Sequence, residues 1–397
     1  MTKQKNDNPS PSRRDMLGLL GLAAGARFAS PLIEQLTLAA ELGQPAGTTA
    51  LRIPAGAIVR TVLQDVSPAV LRGRATLMHE HLLGGFYSSP PRPAPPAAPA
   101  GRGGESRGAS PGNPALREDS PESLGLIVEE LEASKKDGLG AIVDAAIYRR
   151  SAEMVANLKT LASRSGVHII AGGGYYRAPY PPGVIDRSEE QIADEFVQDA
   201  QAQRWGAFGE IGSSLETHPD ERKMMRAVAL AHRRTGLPIF THSPHESCQA
   251  CAREQLEIYE AQGVDPHHLC IGHLSDLKDD PRAETPKAIA KRGGFVGFDT
   301  VGHELGVSRT TLVTDKMKLG MLLEVLEAGY EDHVLLSSDM AHNNHLKANW
   351  GDGFSAVLIA FGAKMRNAGV KEPIIRKILH DNPTRFLAFV PKSDARG

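Results

Sequence analysis

The sequence predicts a parallel α/β barrel, a (β/α)8 TIM barrel whose working face is the C-terminal end of its strands. Three observations predict it. Eight short runs rich in apolar and β-branched residues follow one another along the chain. Longer stretches with apolar residues at mixed three and four spacing, the mark of a helix with one buried face, lie between them. Ionisable residues also recur at the ends of the runs, and in such a barrel those ends converge on one face.

The first strand is expected over Ala75–Leu83 and the others over Ala141–Ala146, His168–Gly172, Ala207–Ile211, Ile239–His242, Leu269–His273, Phe295–Asp299 and Val334–Asp339. Each is introduced by Gly, Pro or a turn-forming residue. Helical stretches fall at Ser151–Ser163, Ser188–Gln203, Pro219–Thr235, Ser247–Gln262, Lys316–Ala328 and Phe354–Asn367. Short strands alternating with longer helical patterns read as eight βα units, which close a parallel barrel. Between Ser88 and Pro121 the composition shifts to Pro, Gly, Ala, Ser and Arg, which cannot bury enough surface to offset ordering. This stretch, 88–121, reads as a mobile insertion within one domain, 41–397, rather than a linker between two.

The ionisable residues at the strand ends are His79 and His81 on strand 1, Glu210 on strand 4, His242 on strand 5, His273 on strand 6 and Asp339 on strand 8. Alternation along a strand turns His79 and His81 to the same side, which suits one metal ion. His242 and His273, from adjacent strands, suit a second. A carboxylate from strand 4 could bridge the two, and Asp339 could complete the first site. Imidazole and carboxylate together favour zinc, with manganese, cobalt and iron as alternatives.

The motifs containing these residues resemble those of a known family. Thr76-Leu77-Met78-His79-Glu80-His81-Leu82, Ala171-Gly172-Gly173-Gly174-Tyr175-Tyr176, Gly209-Glu210-Ile211-Gly212, Thr241-His242-Ser243, Ile271-Gly272-His273 and Ser338-Asp339 look like the successive motifs of the phosphotriesterase-related branch of the amidohydrolase superfamily. The likeness runs from about Arg74 to Phe386 and closes on Asp381-Asn382-Pro383-Thr384-Arg385-Phe386. It implies two divalent ions, one on His79, His81 and Asp339 and the other on His242 and His273. Many members bridge the ions with a carboxylated lysine, and Glu210 places this chain with the subset that uses glutamate. Asp276, three residues after His273, resembles the family's proton-relay aspartate, while Thr300 stands where a relay His or Arg is often found.

Length and composition bound the remaining possibilities. With 397 residues and 41% hydrophobic content the chain can build a large core. Forty-five basic against 47 acidic side chains leave no basic field for nucleic acid, so the expected partner is a small-molecule substrate. Ser12-Arg13-Arg14-Asp15-Met16-Leu17 and the uncharged run to Ala26 resemble a twin-arginine export signal, removed near residue 40. The expectation is therefore a signal at 1–40 recognised by the twin-arginine export machinery, a periplasmic or extracellular location, and no membrane span after processing. A homodimer is allowed. Cys248 and Cys251 read as two small residues of a helical turn, and Cys270 as a packed strand residue.

The chemistry expected of this constellation is hydrolysis of a carboxylic ester or lactone, with a metal-bridging hydroxide attacking the carbonyl and Asp339 accepting its proton. Phosphotriester and N-acyl amide hydrolysis use the same hydroxide and stand as alternatives. A different class, an exported barrel that binds without turnover, predicts incomplete metal occupancy or a pocket sealed by loops. Substrate contacts are expected from loops beyond the strands, at Tyr175, Tyr176 and Arg177, His303 and Glu304, and His342, His345, Lys347 and Trp350. Arg177 or Lys347 could meet a substrate anion.

Overall fold

The computed structural model describes residues 52–83, 121–147, 149–245, 247–303, 313–341 and 345–392, all within one compact unit, Ala50–Gly397. The export signal, most of the insertion, Glu304 and His342 lie outside the described residues. A short antiparallel pair, β1 (Val59–Arg60) and β2 (Asp65–Val66), precedes the barrel. The barrel strands are β3 (Ala75–Glu80), β4 (Leu139–Asp144), β5 (His168–Ala171), β6 (Phe208–Gly212), β7 (Ile239–His242), β8 (Leu269–Ile271), β9 (Phe295–Phe298) and β10 (Val334–Leu336).

Three of these strands pair in parallel in the order β3-β4-β5, and five in the order β10-β9-β8-β7-β6. Backbone hydrogen bonds join the two arcs at both seams. Gly206 N donates to Ala171 O at 2.8 Å between β5 and β6, and His81 N to Met340 O at 2.9 Å between β3 and β10. The expected (β/α)8 barrel is the observed fold.

The alternation of a strand explains why the molecule has two apolar layers. Ile169, Ile239, Leu269, Ile271, Val296, Phe298, Val334 and Leu336 point outward into the layer between strands and helices. Ile170, Phe240, Cys270, Phe295 and Leu335 point inward and pack with Phe386 and Leu387 from the C-terminal segment. The inner layer fills the barrel below its C-terminal face, so the polar strand ends rest on a packed floor.

The surrounding helices are α1 (Pro121–Lys136), α2 (Ala152–Ser165), α3 (Glu189–Ala202), α4 (Pro219–Thr235), α5 (Gln249–Ala261), α6 (Glu284–Lys291), α7 (Asp315–Glu327), α8 (Gly362–Asn367), α9 (Glu372–Arg376) and α10 (Asn382–Leu387). Local sequence sets their starts. Ser151, Ser188 and Thr314 cap α2, α3 and α7 by accepting the backbone N–H three residues on, and Ser188 with Gln191 forms a reciprocal capping box. Among the helices outside the stretches expected from the sequence are α1 and α6. The first begins where the Pro/Gly-rich composition ends, and the second carries Pro286 in its first turn, where proline is tolerated.

Candidate metal centre

Glu210 is buried near the end of β6 and faces four imidazoles. Its Oε1 lies 2.6 Å from His242 Nδ1, 3.3 Å from His273 Nε2 and 3.4 Å from His79 Nε2, and its Oε2 lies 3.6 Å from His81 Nε2. Asp339 closes the group from beyond β10. Its Oδ1 is 3.1 Å from His81 Nε2, and its Oδ2 is 3.9 Å from His273 Nε2. All six residues expected to hold metal are thus brought together, from strands spread over 260 positions of sequence, each at most 4% exposed.

Two of them reach the cluster by an unusual backbone path. β8 stops at Ile271 and β10 at Leu336, so His273 and Asp339 lie past the strand ends and adopt left-handed backbone, with φ of 59° and 51°. Such conformations cost on the order of 1 kcal/mol each and persist where neighbours hold them. His273 N donates to Asp299 Oδ1 at 2.8 Å, and Asp339 N donates to His79 O at 3.1 Å. The glycine before His273 is required by close approach: a Cβ at Gly272 would stand 2.1 Å from Thr241 O.

Carboxylates behind the imidazoles fix the rings. Asp299, one residue past β9, accepts from His79 Nδ1 and His273 Nδ1, both at 3.0 Å, leaving each Nε2 turned toward Glu210. Glu80, between the two histidines of the first motif, points away from the cluster. Its oxygens accept from Ser337 Oγ, Ser338 N and Met340 N, each at 2.7 Å, which ties β3 to the segment carrying Asp339. Burial pushes the Glu80 carboxyl up to about 7 despite these donors. The same strand-end pattern that marks the other ligands could have found Asp299, while nothing in the sequence distinguished Glu80 from an ordinary neighbour.

The electrostatics follow from the packing. Burial opposes ionisation of Glu210, yet His79 and His242 hold its carboxyl well below the usual range. Burial likewise opposes charge on His273, but Asp299 and Glu210 push it up to about 10. His242 goes the other way: burial and then the neighbouring His273 and His245, only partly offset by Glu210, bring it down to about 3. A buried set of carboxylates that draws protons onto adjacent imidazoles is one that a divalent cation can occupy in their place. His79 Nε2, the ring nitrogen turned toward Glu210, makes no hydrogen bond, as expected of an atom kept for a metal. His79, His81 and Asp339 offer ligand atoms within 4.8 Å of one another.

The second half of the centre contains a residue that the sequence argument passed over. His245, in the loop after β7, has its Nδ1 2.6 Å from Asp276 Oδ2 and its Nε2 3.9 Å from Asp339 Oδ2. It joins His242 and His273 in another set whose ligand atoms lie within 4.8 Å. Asp276 is itself held by Lys318 Nζ at 3.2 Å and by the Thr300 hydroxyl at 2.8 Å. Burial resists its ionisation, but Lys318 and His245 keep it below the usual carboxylate range. The imidazole against Asp276 therefore comes from the loop after β7, and not from the Thr300 position beyond β9.

The expected substrate residues separate into two groups. Tyr176 reaches the centre, with its hydroxyl 2.9 Å from His242 Nε2, and the Arg177 guanidinium lies over the Tyr176 ring, 5.1 Å from its centroid. Tyr175 instead donates to Glu195 at 2.9 Å. His303 contacts Ser338 O and pairs with the ring of His345, whose Nδ1 accepts from Ala341 N at 3.1 Å. Both support the backbone on either side of Asp339. Lys347 is turned to Asp137 at 3.3 Å and Ser355 at 2.5 Å, beside α1, and Trp350 is 94% exposed.

The model of the phosphotriesterase family matches residues 57–387, most of the chain and all of the barrel. The chain belongs to the phosphotriesterase family. It is similar to the phosphotriesterase homology protein of Escherichia coli (strain K12), 33% identical over 230 residues, which cover 56% of this chain and 75% of that protein. It is also similar to the N-acetyltaurine hydrolase of Danio rerio, 29% identical over 355 residues, 83% of this chain and 98% of that one. A crystal structure of the E. coli protein, complexed with phosphate in its active site, superposes with a TM-score of 0.64 at 26% identity, covering 79% of this chain and 98% of that chain. This phosphotriesterase-family chain is a metal-dependent hydrolase, and the family is one of binuclear metal enzymes.

One expectation about the cysteines is corrected. Cys248 and Cys251 are not two small helix residues but a disulfide, with Cα atoms 5.2 Å apart, at the N-terminus of α5. Cys270 is the packed interior residue expected of it.

Proposed function

We propose that this enzyme cleaves the amide bond of a small N-acylated, anionic substrate. The observation that carries the reading is the near-complete coverage of relatives named for hydrolysis of N-acetyltaurine, an N-acyl amide bearing a sulfonate. Two features of this chain support it. Arg177, stacked on Tyr176 and exposed, stands beside the ring that touches His242, where it can pair with a substrate anion. The centre also carries the buried ligands that carbonyl hydrolysis needs.

In this reading His79, His81 and Asp339 would hold one ion and His242 and His273 the other, with Glu210 within reach of both sets. Zinc fits the donor set best. When bound, such a pair supplies Lewis-acid polarisation of the scissile carbonyl and a nucleophilic water at neutral pH. Asp339 contributes a carboxylate that touches both halves of the centre and accepts a proton at Oδ2. Asp276 holds His245 and is itself held, in the buried layer, by Thr300 and Lys318. Tyr176 places a hydroxyl beside His242, where it can orient the acyl group.

The test is a panel of N-acyl amides with and without an anionic group, a lactone, an aryl ester and a phosphotriester, each with zinc or manganese restored. The expected result is turnover of an anionic N-acyl amide, with KM raised about tenfold or more by Arg177→Ala through loss of a charge-assisted contact. A lactone or ester hydrolysed while every amide is left intact would return the assignment to the ester reading.

Export through the twin-arginine route belongs to the same proposal. The Cys248–Cys251 disulfide supports it, because such bonds persist in oxidising compartments. Enzyme found outside the cytoplasm after Arg13 and Arg14 are both changed to Lys would defeat it.

A further inference from the structure

His245 is held as the established kind of metal-binding imidazole is held. Where a histidine ligates through one nitrogen, the other is normally fixed by a carboxylate or carbonyl, which sets the tautomer and the angle of the ring. His79 and His273 follow this rule, with Nδ1 on Asp299 and Nε2 toward Glu210. His245 repeats it on a second carboxylate: Nδ1 is 2.6 Å from Asp276, and Nε2 faces the same Asp339 oxygen as His273 Nε2, each at 3.9 Å. The rings of His245 and His273 are 4.2 Å apart and inclined at 33°, so the two present their edges side by side. His242 completes the set at a ring distance of 5.2 Å from His245.

We propose that His245 is a third imidazole ligand of the outer metal ion, so that this ion is held by His242, His245 and His273 with Glu210, and that Asp276 is the positioning residue for His245. This rests on the binuclear reading above and goes beyond its ligand set. A third nitrogen donor from the loop after β7 would strengthen a site that otherwise offers two imidazoles and a carboxylate. His245 is the most exposed of the three, at 28% of its side chain, which suits a ligand on the substrate side. The chemistry of the added donor also narrows the metal: three imidazoles and a carboxylate favour zinc, or cobalt in its place, over magnesium or calcium.

The experiment compares wild type, His245→Gln and Asp276→Asn, purified metal-free and titrated with zinc, with metal content and free-zinc affinity measured at each step. Cobalt(II) absorption provides a second readout. Wild type is expected to bind two ions. His245→Gln should keep one tightly and bind the other at least tenfold more weakly, with an altered cobalt spectrum. Asp276→Asn should weaken that second ion by about 10- to 100-fold through loss of the positioning carboxylate. Two ions bound with unchanged affinity in His245→Gln would overturn the assignment, even if turnover fell, because the ring would then serve the reaction without ligating. If His245→Gln fails to fold, Asp276→Asn decides: an unweakened second ion there also overturns it. A wild type that takes up only one ion at saturating zinc would sink the binuclear reading itself, and this one with it.

Discussion

Glu210 Oε1 and His242 Nδ1 lie 2.6 Å apart, the closest of the contacts that Glu210 makes with four imidazoles from three strands. One carboxylate thus gathers both halves of the centre. Glu210→Gln keeps the volume and removes the charge, leaving His79 and His273 with Asp299 but without the second anion that favours their charged forms in the metal-free protein. Partners one step removed from a metal are worth about 10- to 100-fold, so loss of a carboxylate at the middle of the set should cost at least that. The expected outcome is kcat down by 100-fold or more and fewer than two ions per chain by elemental analysis. Full activity with two ions retained would contradict the bridging role.

Asp299 offers a prediction of a different kind, since it orients ligands on both ions at once. Its two oxygens hold His79 and His273, and its Oδ1 also fixes the backbone of His273 in left-handed conformation. Asp299→Asn can orient at most one ring as an acceptor and must turn an N–H toward the other. Metal affinity should fall by about 10- to 100-fold for both ions, where Asp276→Asn affects one. Competition with a chelator, followed by the rate of each ion's release, separates the two variants.

How far the sequence disclosed this centre depends on whether a residue's position was set by periodicity. The eight strands and the six candidate ligands were legible because strand alternation and the convergence of barrel ends fix where such residues point. His245 lies three residues beyond His242 in a loop, where no period applies, and only the fold shows its ring returning to His273. Asp299 obeys the same strand-end rule, but strand position alone does not tell a residue that orients the rings from one that faces the centre. α1 was missed because its first residues continue the proline-rich composition, although Ile127, Val128 and Leu131 carry a buried face. The Cys248–Cys251 bond was missed because a two-residue gap at a helix start fits equally a pair of packed thiols.

That bond is open to a direct count. The sequence has three cysteines, of which Cys270 is the buried free thiol. Protein denatured without reductant should therefore show one reactive thiol per chain, and three after reduction. Three without reduction would mean that the pair is not oxidised in the isolated enzyme. Because the bond closes a loop spanning a sequence separation of only 3, the double change of Cys248 and Cys251 to Ser should cost about 2 kcal/mol or less of stability.

His232 sets a pH limit on stability that is separate from the metal chemistry. It lies in the last turn of α4, buried, with Nδ1 donating to Leu237 O at 2.7 Å and its ring 5.4 Å from that of His268. Burial, opposed only in part by Leu237 O and reinforced by the nearby His268 and Lys392, pushes its pKa down to about 4. The folded state therefore keeps this ring neutral between about pH 4 and the ordinary value of 6.5, while the unfolded chain binds a proton over the same interval. Stability rises with pH wherever the unfolded state holds more protons, so this contribution is present above pH 6.5 and is lost as the pH falls toward 4. Its size is at most about 3 kcal/mol. His232→Gln can keep a donor to Leu237 O and cannot titrate. Chemical denaturation of metal-free protein at pH 7.5 and 5 should show a smaller loss of stability in the variant than in wild type. An equal loss in both would place the acid sensitivity elsewhere, first at His242, whose pKa is held down in the same direction.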